Sequence, residues 1–116
     1  MNVWEPLQDE AKIAAIQEAS FQRPQLIFKH SVTCGISAHV QHMLGEAAAK
    51  MAEQADLHYL DLLRYRAVSN AVASTLGVVH QSPQVIILKN GEVAYADSHF
   101  AIQPAKILSM LSAPVG

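Results

Sequence analysis

An apolar strand, a long helix and a second strand follow one another in the middle of this sequence, and that order leaves few folds open. Leu26-Ile27-Phe28-Lys29-His30 is a short, mostly apolar run after Arg23-Pro24, and it predicts a buried strand beginning at Gln25. A helix is expected from about Gly35 to Gln54, where Ile36, Val40, Met43, Leu44, Ala47 and Met51 fall on one face. Leu57 to Leu62 alternates enough for the next strand. A strand, a crossover helix and a strand make a βαβ unit, which places the two strands parallel in one sheet.

The flanking segments extend this unit. Leu7 to Ser20, rich in Ala and Glu with Pro6 near its start, predicts an N-terminal helix. Ala67 to Leu76 suits a shorter helix closed by Gly77. Val85-Ile86-Ile87-Leu88 reads as a buried strand, Asn90-Gly91 as a hairpin turn, and Val93 to Asp97 as the returning strand. Pro104 opens a last helix carrying Ile107, Leu108 and Leu111. The order α-β-α-β-α-β-β-α predicts one thioredoxin-like α/β domain over residues 1–116, a mixed four-stranded sheet flanked by helices with an extra N-terminal helix.

Composition narrows the function classes. With 51% hydrophobic and 16% charged residues the chain has the make-up of an ordinary globular domain. A net charge of −2 and the lack of any long Lys/Arg block argue against nucleic acid as a partner. No apolar run is long enough to span a membrane, and Met1-Asn2-Val3-Trp4-Glu5 lacks the basic-then-apolar layout of a signal peptide. The single cysteine forms no internal disulfide and suits a reducing compartment, so the expected location is the cytoplasm.

That cysteine, Cys34, is placed at the predicted strand-to-helix junction, where open α/β sheets present their sites. A helix start offers unpaired N–H groups and the positive end of the helix dipole, both of which favour thiolate. A free cysteine is only about 3% thiolate at pH 7, whereas a pKa lowered to about 6 makes it about 90%. The dipole supplies roughly 0.3–1 kcal/mol, so direct N–H···S contacts must supply most of such a shift. Free cysteines are also frequent core residues, but the polar flanks of Cys34 argue for a reactive thiol. Cys34-Gly35-Ile36-Ser37 has the spacing of a Cys-x-x-Cys redox motif with serine in the second position. Without a second thiol, Cys34 cannot release a bound partner by forming an internal disulfide.

Phe28-Lys29-His30-Ser31, Thr33-Cys34, Ile36-Ser37, Asp61-Leu62-Leu63-Arg64-Tyr65-Arg66 with Ser69-Asn70, His80 with Ser82-Pro83-Gln84, Asn90-Gly91 and Ser98-His99 occur in order across the chain. In these segments the sequence resembles the monothiol bacilliredoxin family, thioredoxin-like proteins of the bacillithiol system. The family often has proline where this chain has Gly35. The resemblance implies removal of a low-molecular-weight thiol, bacillithiol or a similar one, from protein mixed disulfides, with Cys34 as the attacking residue. It implies no tightly bound cofactor; the small thiol is a co-substrate, and the partners are proteins carrying mixed disulfides and a possible reductase. It further implies that the Ser82–Pro83 bond is cis and faces the cysteine, the residue before the proline pairing with substrate backbone; the dipeptide by itself also reads as an ordinary proline before a strand.

The supporting residues admit two readings each. Ser37 either donates to the thiolate or is an ordinary first-turn serine, and Thr33 can cap the helix with its hydroxyl. His80 and His30 lie in segments expected to converge near Cys34, where a protonated ring would favour thiolate, yet a lone histidine is more often structural. Arg64 and Arg66 either hold a carboxylate of the small thiol or flank a helix start at the surface. His39 and His42 share a helix face but have no carboxylate or cysteine at ligand spacing, so no metal is expected. Two other functions compete. One is a monothiol glutaredoxin-like [2Fe-2S] carrier, which Cys-Gly-x-Ser fits locally, although the chain lacks that family's glycine pair and downstream acidic residue. The other is a non-enzymatic thioredoxin-fold redox sensor.

Overall fold

In a computed structural model, which describes residues 3–31 and 35–113, the elements follow the expected order with one addition at the start. They are β1 (Trp4–Pro6), α1 (Ala11–Ala19), β2 (Gln25–His30), α2 (Gly35–Ala52), β3 (Asp56–Asp61), α3 (Arg66–Leu76), β4 (Gln84–Lys89), β5 (Glu92–Ser98), a single 3-10 turn (His99–Ala101) and α4 (Pro104–Ser112).

The sheet order is β1-β3-β2-β4-β5, with β1 and β2 both parallel to β3 and β4 antiparallel to both β2 and β5. It has five strands where the sequence predicts four. Trp4-Glu5-Pro6 pairs with Leu57, His58 and Tyr59, and the Leu7 N–H donates to the Tyr59 carbonyl at 2.8 Å. Three residues ending in proline carry no strand periodicity, and proline is tolerated only because this is an edge. The N-terminal helix is correspondingly shorter than Leu7 to Ser20: Leu7 is wholly buried but belongs to the exit from β1.

Alternation along the strands splits the core into two layers. Leu26, Phe28, Leu57, Val85 and Ile87 pack against Val40, Leu44, Ala48 and Met51 of α2 and Ile107 and Leu111 of α4. Ile27, Leu60, Ile86 and Leu88 face Ile13 and Ile16 of α1 and Val68 and Val72 of α3. The buried positions of α2 recur at three- and four-residue steps, which is the helical stripe the sequence predicts.

Turn chemistry fixes the ends. Asn90 (φ 52°) and Gly91 (φ 80°) both occupy the left-handed region, as a two-residue hairpin requires. The Asn90 N–H donates to the Ser20 carbonyl at 3.0 Å and the Gly91 N–H to Ser20 Oγ at 2.7 Å, tying the hairpin to the end of α1. Lys89, nearly buried, donates to the carbonyls of Met110 and Ala113 at 2.6 and 2.7 Å, capping α4 where unpaired carbonyls and the negative dipole end meet.

Candidate active site

The end of β2 and the start of α2 frame the segment that carries Cys34. Cys34 and Thr33, together with Val32, lie outside the described residues, so the site is defined by what surrounds them. Ser31 is buried at the strand exit, and its N–H donates to Ser37 Oγ at 3.2 Å. Ser37 is completely buried in the first turns of α2, so its hydroxyl closes the connection between strand and helix. Gly35 is exposed and a side chain there would meet nothing within 4 Å, whereas Ile36 is half-buried against the α2-side core.

The loop before β4 closes the other side. Gln84 stands opposite Lys29 in the antiparallel pairing of β4 with β2, so the residues preceding β4 run beside those leaving β2. The Ser82–Pro83 peptide bond is cis, as the resemblance implies. Pro83 is buried and its carbonyl accepts the His99 N–H at 3.0 Å. Ser82 Oγ is buried and has no hydrogen-bond partner among the described residues.

The two candidate histidines lie on opposite faces of the sheet. His30 is almost fully buried on the α2 side, its ring 5.6 Å from Phe28 and 5.5 Å from Tyr59. Burial pushes its pKa down, against smaller upward pulls from Asp61 and the Ser37 backbone. His80 is exposed in the loop before Pro83, and its pKa is pushed down by residual burial and then by the positive charges of Lys29 and Arg66. Both are therefore neutral rings at pH 7, able to donate or accept a hydrogen bond but supplying no fixed positive charge.

Lys29 is the residue the sequence reading passes over. Its side chain is wholly buried on the α1/α3 face, where Nζ donates to the Ser69 carbonyl at 3.1 Å and meets His80 Nδ1 at 3.2 Å. Desolvation lowers its pKa to about 8. The signal was present: a lysine inside Leu-Ile-Phe-Lys-His is an ammonium in a strand whose alternation buries both faces.

The remaining candidates are peripheral. Arg64 and Arg66 are exposed, with Arg64 lying over the Tyr65 ring at 5.7 Å. His42 pairs with Glu46 at 2.7 Å on the outer surface of α2, and His39 is exposed. Among the described residues no three His, Cys, Asp or Glu side chains converge as metal ligands. A cleft of about 400 Å³ lined by Trp4, Pro6, Phe28, Tyr59, Gln41 and Gly45 lies between α2 and the β1/β3 edge, and two of its walls, Phe28 and Tyr59, also pack on the His30 ring.

The family model described as monothiol bacilliredoxin BrxC matches residues 5–107. Among solved structures the chain is similar to a candidate oxidoreductase with a thioredoxin fold, at 25% identity and a TM-score of 0.81 over 93% of each chain. It is also similar to a mutant thioredoxin from Halobacterium salinarum, at 17% identity and a TM-score of 0.69 over 93% of this chain and 87% of that one. Oxidized thioredoxin O2 from Arabidopsis thaliana matches at 16% identity and a TM-score of 0.70 over 94% of this chain and 91% of that one. The two thioredoxins establish the fold alone.

Proposed function

This chain belongs to the monothiol bacilliredoxin family, and from that membership we propose that it strips a low-molecular-weight thiol, bacillithiol or a close equivalent, from protein mixed disulfides through Cys34. The observation that carries the reading is that the family match spans the only cysteine of the sequence, set between the end of β2 and the start of α2.

In the first step the Cys34 thiolate attacks the small-molecule sulfur of the mixed disulfide. A new disulfide forms between Cys34 and the small thiol while the client sulfur leaves with the electron pair of the broken bond and takes a proton. No second cysteine can displace the small thiol internally. A second molecule of thiol, or a reductase thiol, attacks the small-molecule sulfur of the Cys34 disulfide, forming a new disulfide with it while Cys34 leaves as the thiolate. The helix start supports the thiolate, since α2 is eighteen residues long and carries a full dipole. Attacking thiols work best with a pKa near ambient pH, so modest stabilisation suffices. The chemistry requires a reducing compartment, consistent with a cytoplasmic setting.

The test is release of the client protein's thiol from a model protein mixed disulfide, with the small thiol supplied as the second reactant. The wild-type chain is expected to accelerate release, and Cys34→Ala to be no faster than the buffer reaction. Release by Cys34→Ala at the wild-type rate would reject the assignment.

A further inference from the structure

Three aromatic side chains meet at the cleft between α2 and the β1/β3 edge. Pro6, Tyr59 and Phe28 stand side by side across β1, β3 and β2, and Trp4, two residues before Pro6, shares their face of the sheet. The Phe28 ring is buried, with its centroid 6.0 Å from Trp4 and 6.2 Å from Tyr59. The interplanar angles are 51° and 67°. Rings so inclined form a corner, not a parallel-walled slot, so a flat ligand can stack on only one of them, whereas a rounded group can touch several. Gln41 and Gly45, four residues apart on one face of α2, supply the opposite wall. Without β1 the cleft would lose both Trp4 and Pro6.

Gly45 is an independent sign that the space has a use. Glycine is the poorest helix former after proline, yet this one sits in the middle of an eighteen-residue helix. Packing does not require it, because a Cβ there would meet nothing within 4 Å. Its missing side chain leaves the helical wall of the cleft low. The volume of about 400 Å³ falls within the range of small-molecule sites.

Charge selects the ligand. Among the described residues, none of those lining the cleft carries a formal charge; the side-chain polar groups are the Gln41 amide, the Tyr59 hydroxyl and the Trp4 indole N–H. The charged group that acts on Tyr59 is the Asp61 carboxylate, which raises its phenol pKa further after burial has done so. That field repels anions and favours a positive charge, and the negative faces of aromatic rings act in the same sense. A bare ammonium is strongly hydrated and resists entry. An alkylated one has an apolar surface to bury and keeps its charge.

We propose that this cleft binds a small organic cation, an alkylated ammonium group seated against Trp4, Phe28 and Tyr59 with Gln41 beside it. The site goes beyond thiol exchange and needs no group of the segment that carries Cys34.

Trp4 is the only tryptophan of the sequence, so its fluorescence reads the cleft. The full chain is titrated with choline chloride, with dimethylbutanol as the uncharged carbon analogue of choline, and with sodium chloride at equal ionic strength. Choline is expected to change the emission saturably, dimethylbutanol to bind roughly tenfold more weakly, and sodium chloride to give no saturable change. Tyr59→Leu keeps its wall apolar but removes a ring, and Gly45→Leu adds bulk to the opposite wall with a better helix former. Each is expected to weaken choline binding roughly tenfold. Equal binding of choline and dimethylbutanol by the wild-type chain would overturn the cationic ligand and leave an apolar cleft. The absence of a saturable change with choline, or one that persists unaltered in both variants, would overturn the site. The comparison of the two probes on the wild-type chain decides the ligand class without any variant.

Discussion

A buried lysine with no carboxylate partner among the described residues is held at a cost, and Lys29 shows its sign. Its folded pKa, about 8, lies below the unfolded value of 10.5. Below pH 8 both states carry the proton and the folded state bears the full desolvation penalty. Between pH 8 and 10.5 the unfolded chain binds more protons than the folded one, so stability attributable to this residue rises with pH. The difference is about 3 kcal/mol. Lys29→Met removes it, so wild type is expected to gain stability on Lys29→Met as pH is raised from 7.5 to 10, read as the gap between denaturant midpoints. A gap independent of pH would show that Lys29 titrates normally. Cys34 and Pro83 stood out in the sequence because their residue types carry chemistry, whereas Lys29 and its bond to His80 did not. That bond links two positions fifty-one residues apart, and only the register of β2 with β4 places them together.

At the level of elements, the hairpin between β4 and β5 was legible from two letters, because Asn-Gly is the pair that tolerates two successive left-handed residues. The close approach of Phe21 to the same turn was not. A Cβ on Gly91 would stand 2.7 Å from Phe21 Cζ, while the backbone there has φ of 80°. The Phe21 ring is 55% exposed and its tip can swing away, so the backbone strain is the larger effect. Gly91→Ala is expected to destabilise the fold by about 1–2 kcal/mol, and adding Phe21→Ala to recover only a small part of that loss in thermal or denaturant unfolding. Full recovery would mean that the ring contact dominates. The element the sequence concealed, β1, lacks a pattern for a different reason. Its place is set by main-chain hydrogen bonds to β3, which side-chain periodicity does not record.

For the whole molecule, the βαβ unit and hairpin imply the mixed sheet with helices on both faces, because few connections satisfy the crossover and hairpin rules together. The fifth strand extends that sheet without altering its order around β2, which frames the candidate site. Two buried histidines, His30 and His58, have pKa values pushed down by desolvation. Below their unfolded value near 6.5 the unfolded chain binds more protons than the folded one, so stability is expected to fall as pH drops from 6.5. Denaturant midpoints at pH 7.5 and 5.5 check this; a midpoint that rises on acidification would contradict it. The sheet order gives the candidate site its place but not its chemistry, which in the proposed scheme depends on a single sulfur atom. The most direct measurement is the mass of the intact chain during turnover on a model protein carrying a mixed disulfide with a defined small thiol. A transient adduct of one such thiol, mapped to Cys34, is expected. Turnover with Cys34 unmodified throughout, or with the client protein itself accumulating on Cys34 as the productive species, would contradict it.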